Sequence, residues 1–399
     1  MEIIRKFWPI LIIGLILRLL VAAFSYHPDT KSQVIASRSF LNGNFDPYQQ
    51  ADTVSKGAVL DKLPMSYFIQ LPFHIVGRIL TSNEVEDQFF IEQRNLFGKP
   101  QLWLYLIYSK LPLIIFDLAL GVLLALTVSS LFQKKALYLW IFNPFTLWAT
   151  EAVGQIDVYS AFFILLSFYF LKKGKLPLSA LSLGFGGAVK TAPFLLLPLL
   201  LIFAKDSKSK LLVLFLSVIP YISSVIWFMR SPHFRNDAFV APQIGKSLFA
   251  QISLSGGESV FIYFVLLIFI YFIYFQKNRG VDDFLRYSIV IFLLTLSLTH
   301  FHIQWVLWVI PFLIIWLLEN IKGLILSVVG LVVSLVVMLF LFEASLQVKL
   351  FAPLFSVLDS SQGLAEILNT NQLHFLKSLA ASIFAGCSAI LSFKILQKK

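Results

Sequence analysis

Long apolar stretches recur from one end of this chain to the other, separated mostly by short clusters of Lys and Arg. That pattern excludes most folds. Hydrophobic side chains make up 58 % of the 399 residues and charged ones only 13 %, whereas an ordinary soluble domain carries roughly 25 % charge. In lipid every backbone N–H and C=O must be satisfied within the chain, which leaves helices or closed barrels. Runs of this length specify helices. The expected fold is all-α: a polytopic membrane protein of about twelve transmembrane helices forming a single domain over 1–399.

The apolar runs place these spans at 8–25, 102–132, 136–149, 157–171, 177–190, 193–204, 211–229, 259–275, 285–299, 305–318, 323–342 and 375–393. The shortest do not cross a hydrocarbon core of about 30 Å comfortably, so 177–190 and 193–204 are expected to pack inside the bundle or line a cavity. One side of this arrangement collects Arg5/Lys6, Lys134/Lys135, Lys172/Lys173/Lys175, Lys205/Lys208/Lys210, Lys277/Arg279/Arg286, Lys322 and Lys394/Lys398/Lys399. The positive-inside rule makes that side, and both termini, cytoplasmic. The protein is then integral and multi-pass, in the plasma membrane of a prokaryote or the endoplasmic reticulum of a eukaryote. Loop cations account for most of the net charge of +11, and no basic domain exists to hold nucleic acid. A single cysteine, Cys387, excludes an intramolecular disulfide and a Cys-based metal site. The first apolar run, interrupted by Arg18, reads as an uncleaved signal anchor.

Polar residues concentrate on the opposite face. His27-Pro28-Asp29-Thr30 follows the first span directly and opens a long outer loop, 26–101, with the turn-rich text Gly43-Asn44-Phe45-Asp46-Pro47-Tyr48 and an apolar segment, 65–80, expected to lie in the interface. Lys110 and Asp117 fall two turns apart on one face of the next span, where an ionised group needs an internal partner. Asn143-Pro144 breaks a helix, and Glu151, Gln155 and Asp157 occupy the short outer turn that follows. A helix thinned by Gly184, Gly186 and Gly187 ends in Lys190. Further outer loops, 230–258 and 343–374, supply Arg230, His233, Arg235, Asp237, Lys246 and Glu258 in the first and no evident chemistry in the second. His300 and His302 precede Gln304 and Trp305 at the same face; with no third ligand at suitable spacing, no metal site is predicted, and a divalent cation is left open.

In order and placement these motifs (His27-Pro28-Asp29, the Asn143-Pro144 break, Gly154-Gln155-Ile156-Asp157, the Gly-rich helix ending in Lys190, and His302-Ile303-Gln304-Trp305 before Pro311) resemble the GT-C class of polyprenyl-phosphate-sugar-dependent glycosyltransferases, including the dolichyl-phosphate-mannose mannosyltransferases. The resemblance implies that Asp29 takes the place of the class's first-loop catalytic acid, although Thr30 stands where many members have a second acid. It implies inverting transfer of a hexose such as mannose from a polyprenyl-phosphate donor to a glycan, lipid or protein acceptor at the outer face. In that scheme Asp29 is the base. Lys190, Arg230, Arg235, His300 and His302 grip the lipid phosphate, and Asp157, Glu151, Gln155 and Gln304 position sugar or acceptor. A lipid-diphosphate-dependent ligase and a polyprenyl-lipid flippase or transporter are the alternatives; the absence of a visible inverted repeat weighs against the transporter.

Overall fold

A computed structural model describes residues 2–240, 245, 248–276, 280–299, 302–321 and 323–397. The fold is all-α; among the described residues the only strands are a three-residue antiparallel pair, β1 (Gln251–Ser253) and β2 (Ser259–Phe261). Four helices are long and apolar enough to cross a membrane: α1 (Glu2–Phe24, from Arg5), α6 (Pro100–Thr127), α12 (Ser207–Val225) and α18 (Thr370–Gln397). Shorter apolar helices accompany them, among them α10 (Leu176–Val189), α13 (Ile262–Phe275), α15 (Ile310–Asn320) and α16 (Ile325–Phe340). Their outer faces carry exposed Ile268, Phe272, Leu326 and Val333, the surface of helices bathed by lipid rather than water. The chain is a multi-pass membrane protein.

Several expected spans are not continuous helices, and proline is the common cause. The run 136–149 divides where α7 (Gln133–Ile141) stops: Asn143 accepts a hydrogen bond from the Phe145 amide (2.9 Å), and the chain passes through α8 (Pro144–Thr146) into a π-helical turn, Leu147–Ala152. The run 193–204 becomes a 3-10 turn, Ala192–Leu196, followed by α11 (Leu197–Leu201), and 305–318 becomes a 3-10 turn, Ile303–Trp308, ahead of α15. These broken elements pack inside the bundle, where side chains and neighbouring helices satisfy the freed backbone groups.

The outer segment 26–101 is built as a helical cap rather than a loop. It contains α2 (Pro28–Leu41), α3 (Pro47–Val54), α4 (Pro64–Leu80) and α5 (Asn83–Glu92). Their inward residues Val34, Ile35, Tyr48, Tyr67 and Phe89 form a second core with Tyr105 and Leu106 of α6 and with Phe228 and Phe234 beyond α12. Helix α4, the expected interfacial segment, buries Tyr67, Gln70 and His74 and exposes Ile75, Val76 and Ile79, as an amphipathic helix lying at a lipid surface does.

The main core joins α1, α6, α7, α9 (Asp157–Lys172), α10, α14 (Val281–Leu298) and α15. One contact there depends on glycine. A Cβ on Gly184 of α10 would collide with the Ser217 carbonyl of α12 and lie 2.9 Å from that of Leu216. Backbone cannot step aside as a side chain can, so Gly184→Ala is expected to cost about 1–3 kcal/mol, read as a lowered thermal midpoint in detergent. An unchanged midpoint would show that the two helices separate freely.

Candidate functional site

The turn between α1 and α2 sets the site. Pro28 occupies the first turn of α2, where its missing N–H costs nothing, and the His27 ring nitrogen Nδ1 accepts from the Asp29 amide (3.2 Å). Asp29 thereby projects from the start of a helix, an environment favourable to negative charge. Its carboxylate accepts a short hydrogen bond from the Gln155 side-chain amide, and lies 3.6 Å from His27 Nδ1 and 4.0 Å from the Lys62 ammonium. Gln155 in turn accepts from Gln304 (3.4 Å).

Gly154 makes this meeting possible. Its φ of +82° is open to glycine, and a Cβ there would lie 2.5 Å from the Thr30 hydroxyl. The backbone turn therefore presses directly onto α2, where Gln33 donates to the Gly154 carbonyl (2.5 Å). Three residues on, Asp157 opens α9. Buried itself, it receives both carboxylate contacts from the Lys190 ammonium at 2.8 Å, and Lys190 also sits 6.0 and 5.8 Å from the ring centres of Trp305 and Trp308.

Asp29 is the accessible carboxylate of this group, with its side chain 36 % exposed. Burial opposes its ionisation, but Lys62, His27, the Gln155 hydrogen bond and Lys190 together outweigh it and lower its pKa to about 2. Lys62 is held charged in return: burial works against its ammonium, and the carboxylates of Asp61 and Asp29 more than compensate. Burial lowers the pKa of His27 in spite of Asp29 and Glu343.

Beneath the site lies a second, closed layer. The Lys110 ammonium donates to the carbonyls of Ser25 (2.7 Å), Ala152 (3.2 Å) and Ala22 (3.4 Å) and contacts the Ser25 hydroxyl (3.1 Å), tying the end of α1 to the π-helical turn. Arg18 pairs with Asp117, which also accepts from the Trp140 indole (3.0 Å), and Glu151 lies 3.6 Å from the Arg18 Nε. Lys110, Arg18, Asp117 and Glu151 are fully buried. Lys110 and Asp117 share a helix face but do not need each other.

The structure thus brings together Asp29, Gln155, Gln304, Asp157 and Lys190, all singled out in the sequence. It corrects the placement of Glu151, which turns inward to Arg18 instead of facing the outer surface. Arg235 donates to the carbonyls of Met229 (2.7 Å) and Arg230 (3.3 Å), and Arg230 stacks on Trp227 at 4.8 Å, so both guanidinium groups are engaged within their own loop. His302 packs its ring 5.3 Å from Trp305; His300 and Lys246 lie outside the described residues. Lys62 escaped notice because nothing in its local text marks it, and its partnership with Asp29 joins two separate elements of the cap. Among the described residues no group of three or more His, Cys, Asp or Glu side chains is placed to hold a metal.

A carboxylate with a pKa of about 2 is a poor general base at neutral pH, because proton abstraction is most effective when the base's pKa lies near the working pH. The arrangement instead offers a fixed anion, two carboxamides, two ammonium groups and an aromatic wall. That set suits holding a polyol-phosphate head. Residues 104–231 match the family of the GPI transamidase subunit PIG-U. The matched stretch covers about a third of the chain and contains Lys110, Asp117, the Glu151–Asp157 turn and Lys190. No curated protein and no solved structure gave a match. The similarity to a transamidase subunit overturns the expectation of a hexosyltransferase, and with it the polyprenyl-phosphate-sugar donor.

Proposed function

We propose that this chain is a non-catalytic membrane subunit of a GPI-transamidase-type assembly, and that the Asp29 cluster holds the polar head of the glycolipid while other subunits perform the transfer to protein. The observation that carries the reading is the match over 104–231, which spans the floor of the cluster and both residues of its Asp157–Lys190 pair. The electrostatics support it: Asp29 is locked in its ionised form, suited to accepting hydrogen bonds from hydroxyl groups and ill suited to moving protons. Gln155 and Gln304 offer further donors and acceptors, and Trp305 and Trp308 an aromatic surface beside Lys190. In this reading the short broken helices contribute to about a dozen passes, the termini and the Lys/Arg-rich loops are cytoplasmic, and the cap faces the opposite compartment.

In cells stripped of their own PIG-U subunit, expression of this chain is expected to restore surface display of GPI-anchored proteins. Failure to restore it, with the chain correctly inserted and abundant, would overturn the reading.

A further inference from the structure

A well-defined cavity lies away from the Asp29 cluster. It has a volume of about 560 Å³ and opens at the other end of the bundle, among the last turns of α6, α9 and α15 and the first turn of α14. The length of α9 alone, from Asp157 to Lys172, separates the two places by about 22 Å at 1.5 Å per residue. A volume of this size lies within the range of ligand sites, roughly 300–1,000 Å³.

Its lining is divided by chemistry. Lys172, Lys173 and Arg286 bring positive charge from two different helices, and Asp282 and Glu319 stand among them. The Lys172 ammonium is anchored by the Thr127 carbonyl (2.8 Å), Lys173 lies over the Tyr169 ring (5.6 Å), and Arg286 is 3.5 Å from Asp283, so the cations are positioned rather than loose. Deeper in, Phe168, Leu285 and Ile315 make an apolar wall. A cavity at the ends of membrane helices, charged above and apolar below, matches a molecule with phosphate at its head and hydrocarbon beneath it. Basic pockets of this kind between membrane helices select phospholipid heads.

We infer that the cavity bounded by Lys172, Lys173, Arg286, Asp282 and Glu319 is a binding site for a phospholipid whose phosphodiester head also carries a hydrogen-bond donor, as ethanolamine and glycerol heads do. The cations take the phosphate and the two carboxylates take the ammonium or hydroxyl. A choline head, which has no N–H or O–H, lacks the second interaction. The site is separate from the Asp29 cluster and stands or falls independently of the function proposed for it.

Native mass spectrometry of the full chain, released from phosphatidylcholine nanodiscs doped with phosphatidylethanolamine or phosphatidylglycerol, tests this. Retention of a doped lipid in preference to phosphatidylcholine is expected. Lys173→Gln with Arg286→Gln is expected to weaken that retention about ten- to a hundredfold, the loss of charge-assisted hydrogen bonds, and Asp282→Asn with Glu319→Gln to abolish the preference over choline. Lys173→Gln alone, an exposed position, serves if the double variant loses its thermal transition. Equal retention of all three lipids, retention unaffected by the cation variants, or displacement of the lipid by inorganic phosphate alone would each overturn the assignment; the last would identify a free-anion site.

Discussion

Asp117→Ala is expected to destabilise the protein by about 3–5 kcal/mol, the cost of leaving one member of a buried ion pair without its partner. Arg18 and Asp117 are completely inaccessible, and the remaining carboxylate near Arg18, Glu151, lies 3.6 Å from its Nε with neither oxygen hydrogen-bonded to a side chain or backbone group. Arg18 also donates to the carbonyls of Ile141 (3.0 Å) and Gly14 (3.2 Å), which hold the guanidinium in place but do not neutralise it. Asp117 is the close partner of Arg18, and Glu151 stands farther off at 3.6 Å. Removing Asp117 alone therefore strands a cation, whereas Arg18→Leu with Asp117→Leu removes a balanced pair and should recover most of the loss. Thermal unfolding in detergent decides the matter. Equal losses in the single and double variants would mean that the pair's shape, not its charge, holds α1 to α6.

The residues that were legible beforehand are those that contradict their surroundings. A carboxylate after the first apolar run, a Lys closing a glycine-rich helix and an acid opening another are conspicuous in apolar text, and the structure gathers Asp29, Lys190, Asp157, Gln155 and Gln304 at one place. Positions of apolar helices were legible for the same reason. Pairings between distant segments were not. Arg18 reads as an interruption of a span, and nothing local names Asp117, 99 residues away, as its partner. Glu151 looks like a surface acid because it stands in a turn, yet the π-helical winding of Leu147–Ala152 rotates it into the bundle. The cap was legible only in part: the interfacial helix α4 is marked by its amphipathic text, but the aromatic core is assembled from four helices and the segment after α12, and nothing local names those pairings. The resemblance to glycosyltransferases failed at another level. An outward-facing acid, paired amides and interfacial cations suit the holding of many polar lipid heads, so their order along the chain specifies a polar cluster and not the reaction performed at it.

Asp29→Asn is expected to weaken binding of a glycosylphosphatidylinositol by about ten- to a hundredfold, the value of one or two hydrogen bonds to a charged acceptor, while leaving the midpoint of thermal unfolding within a few degrees of wild type. The substitution preserves shape and keeps an oxygen that can accept from Gln155, but removes the charge that faces Lys62 and Lys190. The pH dependence separates a holding role from proton transfer. With its pKa lowered to about 2, below the ordinary 3.8, Asp29 contributes stability above about pH 4 that is lost only as the pH falls toward 2. Between pH 4 and 8 its charge is constant, so it should impose no inflection on glycolipid affinity. His27 behaves differently: burial lowers its pKa from 6.5, so the unfolded chain takes up that proton first and stability declines as the pH falls below 6.5. His27→Gln should flatten that decline without touching affinity at pH 8, where the imidazole is neutral. Isothermal binding of the purified chain across this range, with both variants, gives the test; an inflection near neutrality that vanishes in Asp29→Asn would show that the carboxylate exchanges a proton there and would end its assignment as a fixed anion.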